Sequence, residues 1–144
     1  MRADRKSRDA VAACAGAERG YAGATTERIP MRHVLLLDLN DDPEAIAAYR
    51  HWHRPGGPPA AVTRSIRDAG IEAMEIWHAG DRLVMVMETG PSFDPEAKRA
   101  RDAADPDVQA WETLMDDFQR RLAFADPGVK WVATEQIFAL ADQP

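Results

Sequence analysis

Beyond residue 30 the chain switches between short apolar runs that favour strands and longer stretches with helical spacing. His33–Leu39 (HVLLLDL) is apolar and β-leaning, the pattern of a buried strand. Asn40-Asp41-Asp42-Pro43-Glu44 opens a helix: Asp42 can cap, Pro43 suits the first helical position and Glu44 favours the positive helix end. That helix runs through Ala45–His53, and Arg54-Pro55-Gly56-Gly57-Pro58-Pro59 must end it. A second helical stretch, Ala60–Ala69, stops at Gly70. Ile71–His78 and Arg82–Glu88 flank Ala79-Gly80-Asp81, which reads as a β-hairpin. Pro95–Ala104 is a short polar helix. Asp105-Pro106 starts another that extends to about Arg121, with Val108, Trp111, Leu114, Met115 and Phe118 in one apolar stripe. Asp126-Pro127-Gly128 marks a turn, and Trp131–Leu140 reads as the last strand.

The order β, α, β, β, α, β is the split βαβ, so the expected fold is α+β and ferredoxin-like, with a four-stranded antiparallel sheet. Helices cover one face of such a sheet. No further element remains to cover the other, so a homodimer packed sheet against sheet, a dimeric α/β barrel, is expected.

Composition refines this picture. Residues 1–30 are rich in arginine and alanine and nearly lack large apolar side chains, so they are expected to be a disordered extension ahead of a single domain at 31–144. The segment has no apolar core of the kind a secretory signal needs. The chain carries a net charge of −6, which disfavours nucleic acid and anionic membranes as partners. One cysteine, Cys14, excludes an intrachain disulfide and a cysteine-based zinc cluster, and a reducing cytoplasmic setting is expected.

Chemistry concentrates at the end of the first helix. Tyr49 and His53 are four residues apart and therefore share a helix face. An imidazole that titrates near neutrality beside a phenol that donates hydrogen bonds can act in acid–base catalysis. Packed amphipathic residues at a helix end are the competing interpretation. His51 and His53 do not make a metal pair, because positions i and i+2 of a helix point about 200° apart; no metal is expected. The strand carboxylates Asp38, Glu75, Glu88 and Glu135 could face a ligand or simply water. Trp52, Trp77, Trp111 and Trp131 could stack on sugar faces or fill the core, and core packing is preferred for Trp131. Signature loops for nucleotide binding, serine hydrolysis and zinc proteolysis are absent.

Five segments occur in an order that resembles the L-rhamnose mutarotase family: YRHWHRP (Tyr49–Pro55), GIEAMEIW (Gly70–Trp77), RLVMVMET (Arg82–Thr89), DPDVQAWETLM (Asp105–Met115) and PGVKWVATEQIFAL (Pro127–Leu140). The resemblance spans about residues 31–140, and its MEIW and QAWETLM segments look closer to the branch associated with L-fucose. It implies a ferredoxin-like subunit in a homodimer and interconversion of the α and β anomers of a 6-deoxy-hexose monosaccharide without metal or cofactor. It implies catalytic roles for His53 and Tyr49, and substrate binding by Tyr49, Met74, Trp111 and Glu112. Met74 stands where the family has a tyrosine, and Glu112 where it has a second tryptophan; both fit the fucose-like branch. Pro55-Gly56-Gly57-Pro58-Pro59 lacks the tryptophan usual after the histidine, which fits neither branch. Two alternatives share the scaffold: another cofactor-free enzyme, such as a small monooxygenase or lactone isomerase, and a non-catalytic sugar-binding module.

Overall fold

Three helices begin in the same way, with an aspartate followed by proline. The side chains of Asp42, Asp94 and Asp105 accept hydrogen bonds from the backbone N–H of Glu44 (3.1 Å), Glu96 (3.0 Å) and Asp107 (2.9 Å). The adjacent prolines occupy positions where no helical N–H is needed. The computed structural model describes residues 31–144, so the expected N-terminal extension lies outside the described residues.

In chain order the elements are β1 (Met31–Leu39), α1 (Pro43–Trp52), α2 (Ala60–Asp68), β2 (Ile71–Ala79), β3 (Arg82–Thr89), α3 (Pro95–Ala104), α4 (Pro106–Asp116), β4 (Gln119–Arg120) and β5 (Val132–Ala133), followed by a short 3₁₀ turn, Leu140–Asp142. The sheet is antiparallel and runs β2-β3-β1-β4, with β5 also on β1. This is the expected ferredoxin-like order, with β1 and β3 in the middle. Gly80 turns the β2–β3 hairpin at φ +60, a conformation glycine adopts without steric cost.

Two expectations are corrected. The last helix ends at Asp116 instead of running to Arg121, and the chain doubles back to the sheet. Asn40 secures this exit: its N–H donates to the Phe118 carbonyl (2.8 Å) and its Nδ2 to that of Asp117 (3.1 Å). The tightened last turn keeps Phe118 among the apolar side chains, so helical spacing outlasts the helix itself. The expected strand Trp131–Leu140 shrinks to Val132–Ala133. The fourth sheet position is thus divided between two short strands, and the sheet has five strands instead of four. Ladder bonds need a partner edge, and pairing on β1 stops once the Thr134 N–H reaches the Val34 carbonyl (3.0 Å).

The helices cover one sheet face. There Leu35, Leu37, Leu39, Leu83 and Met87 are buried, all but Leu37 in two clusters that Trp131 joins by packing against both. The other face carries Val34, Leu36, Val84, Val86, Trp77 and Val132, placed together by register. No element among the described residues covers it, and Trp77 is 61% exposed.

At one end of this open face the buried Asp38 carboxylate accepts from Arg82 Nε (2.8 Å) and Nη2 (3.2 Å), and Arg120 approaches to 3.5 Å. The Arg82 hydrogen bond outweighs burial and holds the Asp38 pKa below its usual 3.8. Both arginines are half-exposed, which screens the pairs. Asp38→Asn is therefore expected to cost about 1–2 kcal/mol at neutral pH. The difference should fade in acid, because a carboxylate with a depressed folded-state pKa loses its contribution as pH falls through that pKa. Urea denaturation of both proteins across the acid range checks this.

Candidate active site

The end of α1 is shaped by its own residues. His53 is the C-terminal cap, its N–H donating back to the carbonyls of Arg50 and His51. The loop then folds back over the helix end. The Gly57 N–H donates to the Arg54 carbonyl (2.7 Å), and a Cβ at Gly57 would collide with the Trp52 carbonyl oxygen. The Pro-Gly-Gly-Pro-Pro segment therefore closes tightly on the turn that carries His53, at a point where only glycine fits.

Tyr49 and His53 are brought together as their spacing predicts. Their rings stack with centroids 4.0 Å apart and an interplanar angle of 30°. His53 Nδ1 lies 2.7 Å from the backbone carbonyl of Tyr49. A carbonyl only accepts, so the Nδ1 carries the hydrogen, and in the neutral ring the Nε2 keeps a free lone pair. Trp111 of α4 meets the His53 ring at 5.4 Å and the Trp52 ring at 6.1 Å, both edge-on. One indole thus meets the histidine, and a second packs on the first.

Burial acts on the two proton carriers in opposite directions. It lowers the His53 pKa below 6.5, against a smaller upward pull from the hydrogen bond to Tyr49. It raises the Tyr49 hydroxyl to about 12, partly opposed by the Gln119 side chain and reinforced by the charge of Glu112. At neutral pH the imidazole is unprotonated and the phenol protonated. A base and an acid in contact, with pKa values pushed apart by their surroundings, make an acid–base pair.

The other expected site residues fall differently. Trp111 belongs to the Tyr49 cluster. Glu112 sits at its rim, exposed, and takes an ion pair from Lys130 (2.8 Å), which also reaches Asp116 (2.6 Å). Met74 lies in the neighbouring cluster, against Leu35, Ala69, Ile71 and Met87, and the structure does not bring it to the His53–Tyr49 pair. His51 is exposed on α1. Among the strand carboxylates, Glu75 accepts from the Trp77 indole (3.1 Å) on the open face and Glu88 pairs with Arg32 (3.3 Å). Gln119 and Lys130 are residues that sequence reasoning missed. Gln119 falls inside the stretch read as helix, and Lys130 has no local pattern to mark it; only the return of the chain to β1 brings either to α4 or Tyr49. A groove of about 200 Å³ between α2, α3 and α4, lined by Arg64, Ser65, Asp68 and Arg101 among others, holds none of the expected site residues.

A neutral imidazole and a protonated phenol, stacked beside an indole at one end of a ferredoxin-like subunit, can move protons to and from a bound molecule. A family model described as L-rhamnose mutarotase matches residues 32–140, and the chain belongs to that family. It is 50% identical over 107 residues to the L-fucose mutarotase of Xanthomonas campestris pv. campestris, a match covering 74% of this chain and 86% of that protein. In solved structures its fold resembles the L-rhamnose mutarotase of Formosa agariphila, with a TM-score of 0.52 at 16% identity over 76% of this chain and 98% of the other.

Proposed function

We propose that the protein interconverts the α and β anomers of a 6-deoxy-hexose, L-fucose ahead of L-rhamnose, with His53 and Tyr49 as the proton carriers. The observation that carries this reading is the stacked pair with oppositely displaced pKa values. Identity to an L-fucose mutarotase supports the choice of sugar.

Mutarotation breaks and remakes a hemiacetal. His53 Nε2 takes the proton of the anomeric hydroxyl while the Tyr49 hydroxyl gives its proton to the ring oxygen. The C1–O5 bond breaks, C1 becomes an aldehyde, and rotation about C1–C2 turns the other carbonyl face toward O5. On closure Tyr49 recovers its proton from O5, and His53 returns one to the carbonyl oxygen. Protons balance over the cycle, and no electrons are exchanged. Acid–base assistance contributes about 10²–10⁴-fold; holding the open chain near its closing geometry adds more. Trp111 and Trp52 offer stacking faces, and Glu112 is placed to accept from sugar hydroxyls.

Saturation-transfer NMR across L-fucose, L-rhamnose and D-galactose tests this, with fastest exchange expected for L-fucose. Binding by calorimetry without exchange would identify a sugar-binding module instead. The base form of His53 is lost on protonation, so the rate should fall in acid with a midpoint below 6.5. It should stay level into mildly alkaline pH, where Tyr49 keeps its proton. A midpoint above 6.5 would contradict the desolvated base.

The open sheet face supports a homodimer. Val34, Leu36, Val84, Val86 and Trp77 make its centre apolar, and beyond β5 Ile137 is 94% exposed and Phe138 and Leu140 are also largely bare. An exposed apolar patch of this kind marks an interface. A second copy supplies the matching face by symmetry. No helix among the described residues is long and apolar enough to cross a membrane, and the lone cysteine and net acidity support a cytoplasmic setting.

A further inference from the structure

Lys130 stands just ahead of β5, and its ammonium is drawn in between two carboxylates of α4. Nζ lies 2.8 Å from Glu112 Oε2 and 2.6 Å from Asp116 Oδ1. The lysine side chain is 18% exposed, against 48% for Glu112 and 58% for Asp116, so the cation is the most deeply set of the three. Lysine is seldom buried unless it is paired. Burial alone would lower its pKa, but the two carboxylates outweigh burial and raise it above 10.5, so the charge is kept. Glu112 and Asp116 are four apart on one helix face, where like charges repel. Without the lysine between them, the two carboxylates would swing apart into water. With it, Glu112 is held through Oε2, and its Oε1 accepts no hydrogen bond among the described residues. Glu112 directly follows Trp111, whose ring meets His53 at 5.4 Å.

We propose that Lys130 is a positioning residue for substrate binding: its ion pair fixes the Glu112 carboxylate at the rim of the His53–Tyr49 site and leaves Oε1 free to accept from a sugar hydroxyl. This role rests on the sugar contact given to Glu112 under the mutarotase reading. A hydroxyl donating to a carboxylate makes a charge-assisted hydrogen bond. A carboxylate already ordered by Lys130 loses less freedom when the sugar arrives. The proton steps at His53 and Tyr49 do not pass through this ion pair, so its effect falls on KM and leaves kcat. Asp116 takes the same cation one helical turn beyond Glu112, farther along α4 from Trp111. It therefore reports on Lys130 as a plain staple between α4 and the approach to β5.

The test measures anomer exchange by saturation-transfer NMR across L-fucose concentrations, and L-fucose binding by calorimetry, in the full-length protein. Lys130→Met should raise KM and Kd about tenfold, the scale of one hydrogen bond to a charged group, with kcat within about twofold. Lys130→Gln serves as a second variant should methionine disturb the packing, and circular dichroism reads the fold of each. Lys130→Arg keeps a cation with donors and should recover most of the loss. In a Glu112→Ala background Lys130→Met should have no further effect on KM, because the group it acts through is gone. Asp116→Asn breaks the other ion pair and should leave KM within about twofold. An unchanged KM in both Lys130 variants, an equal rise in the Glu112→Ala background, no recovery with arginine, or as large a rise in Asp116→Asn would overturn the proposal while the mutarotase reading stands. Absence of exchange in the unmutated protein would remove that reading, and this proposal with it.

Discussion

His53→Ala is expected to slow catalysed anomer exchange by about 10²–10⁴-fold, down to the spontaneous rate, while the protein stays folded. The size of the loss follows from what the imidazole provides. Its Nδ1–H is engaged by the Tyr49 carbonyl, so the Nε2 is the one ring atom left to take a proton. Burial keeps that atom unprotonated at neutral pH. Stability should suffer little, because His53 is half-buried and caps α1 through its backbone N–H, which alanine also has. His53→Gln separates chemistry from shape: it keeps a polar side chain under Trp111 without a group that titrates near neutrality, and it should be nearly as inactive. Saturation-transfer NMR reads both rates against the spontaneous background, and circular dichroism reads the fold. Full exchange in either variant would take His53 out of the mechanism.

Val86→Arg should convert a dimer into a monomer. Val86 pairs with Val34 on one side and Glu75 on the other, at the middle of the uncovered face, while its neighbours Met85 and Met87 point to the helices. An arginine there meets water in the single chain and costs the fold little. In a sheet-to-sheet dimer its charge would be buried together with that of the cross-strand Glu75, and desolvating the two costs several kcal/mol per ion. Each 1.4 kcal/mol is tenfold, so association weakens by more than about a hundredfold. Light scattering after size exclusion should show twice the 15.9 kDa chain mass for the unmutated protein and the single mass for the variant. An unmutated protein that runs as a monomer at tens-of-micromolar concentration would end the dimer proposal.

The residues most legible in the sequence were those whose partners are near in the chain. Tyr49 and His53 meet because four residues make roughly one helical turn, and the Asp-Pro pairs announce their own helices. Trp111 declared itself through an apolar stripe that the packing of α4 bears out. The same local logic failed where distant chain decides. Helical spacing carried the last helix past Asp116, because Phe118 stays apolar and inward after the backbone has turned away. The β-leaning tail after Trp131 reads as ten strand residues, yet only Val132–Ala133 pair on β1.

By itself the sequence determined the element order, the ferredoxin-like class, the histidine–tyrosine pair and the family, since capping, turn chemistry and side-chain period act over a few residues. The tertiary structure alone decided that His53 is desolvated beside Trp111, that Gln119 comes to lie opposite Leu39 of the Tyr49 cluster, and that Lys130 holds Glu112 while Met74 goes to another part of the core. Desolvation and hydrogen bonding depend on which atoms fill the space around a group, and those atoms come from segments as far apart in the chain as α1, α4 and β4.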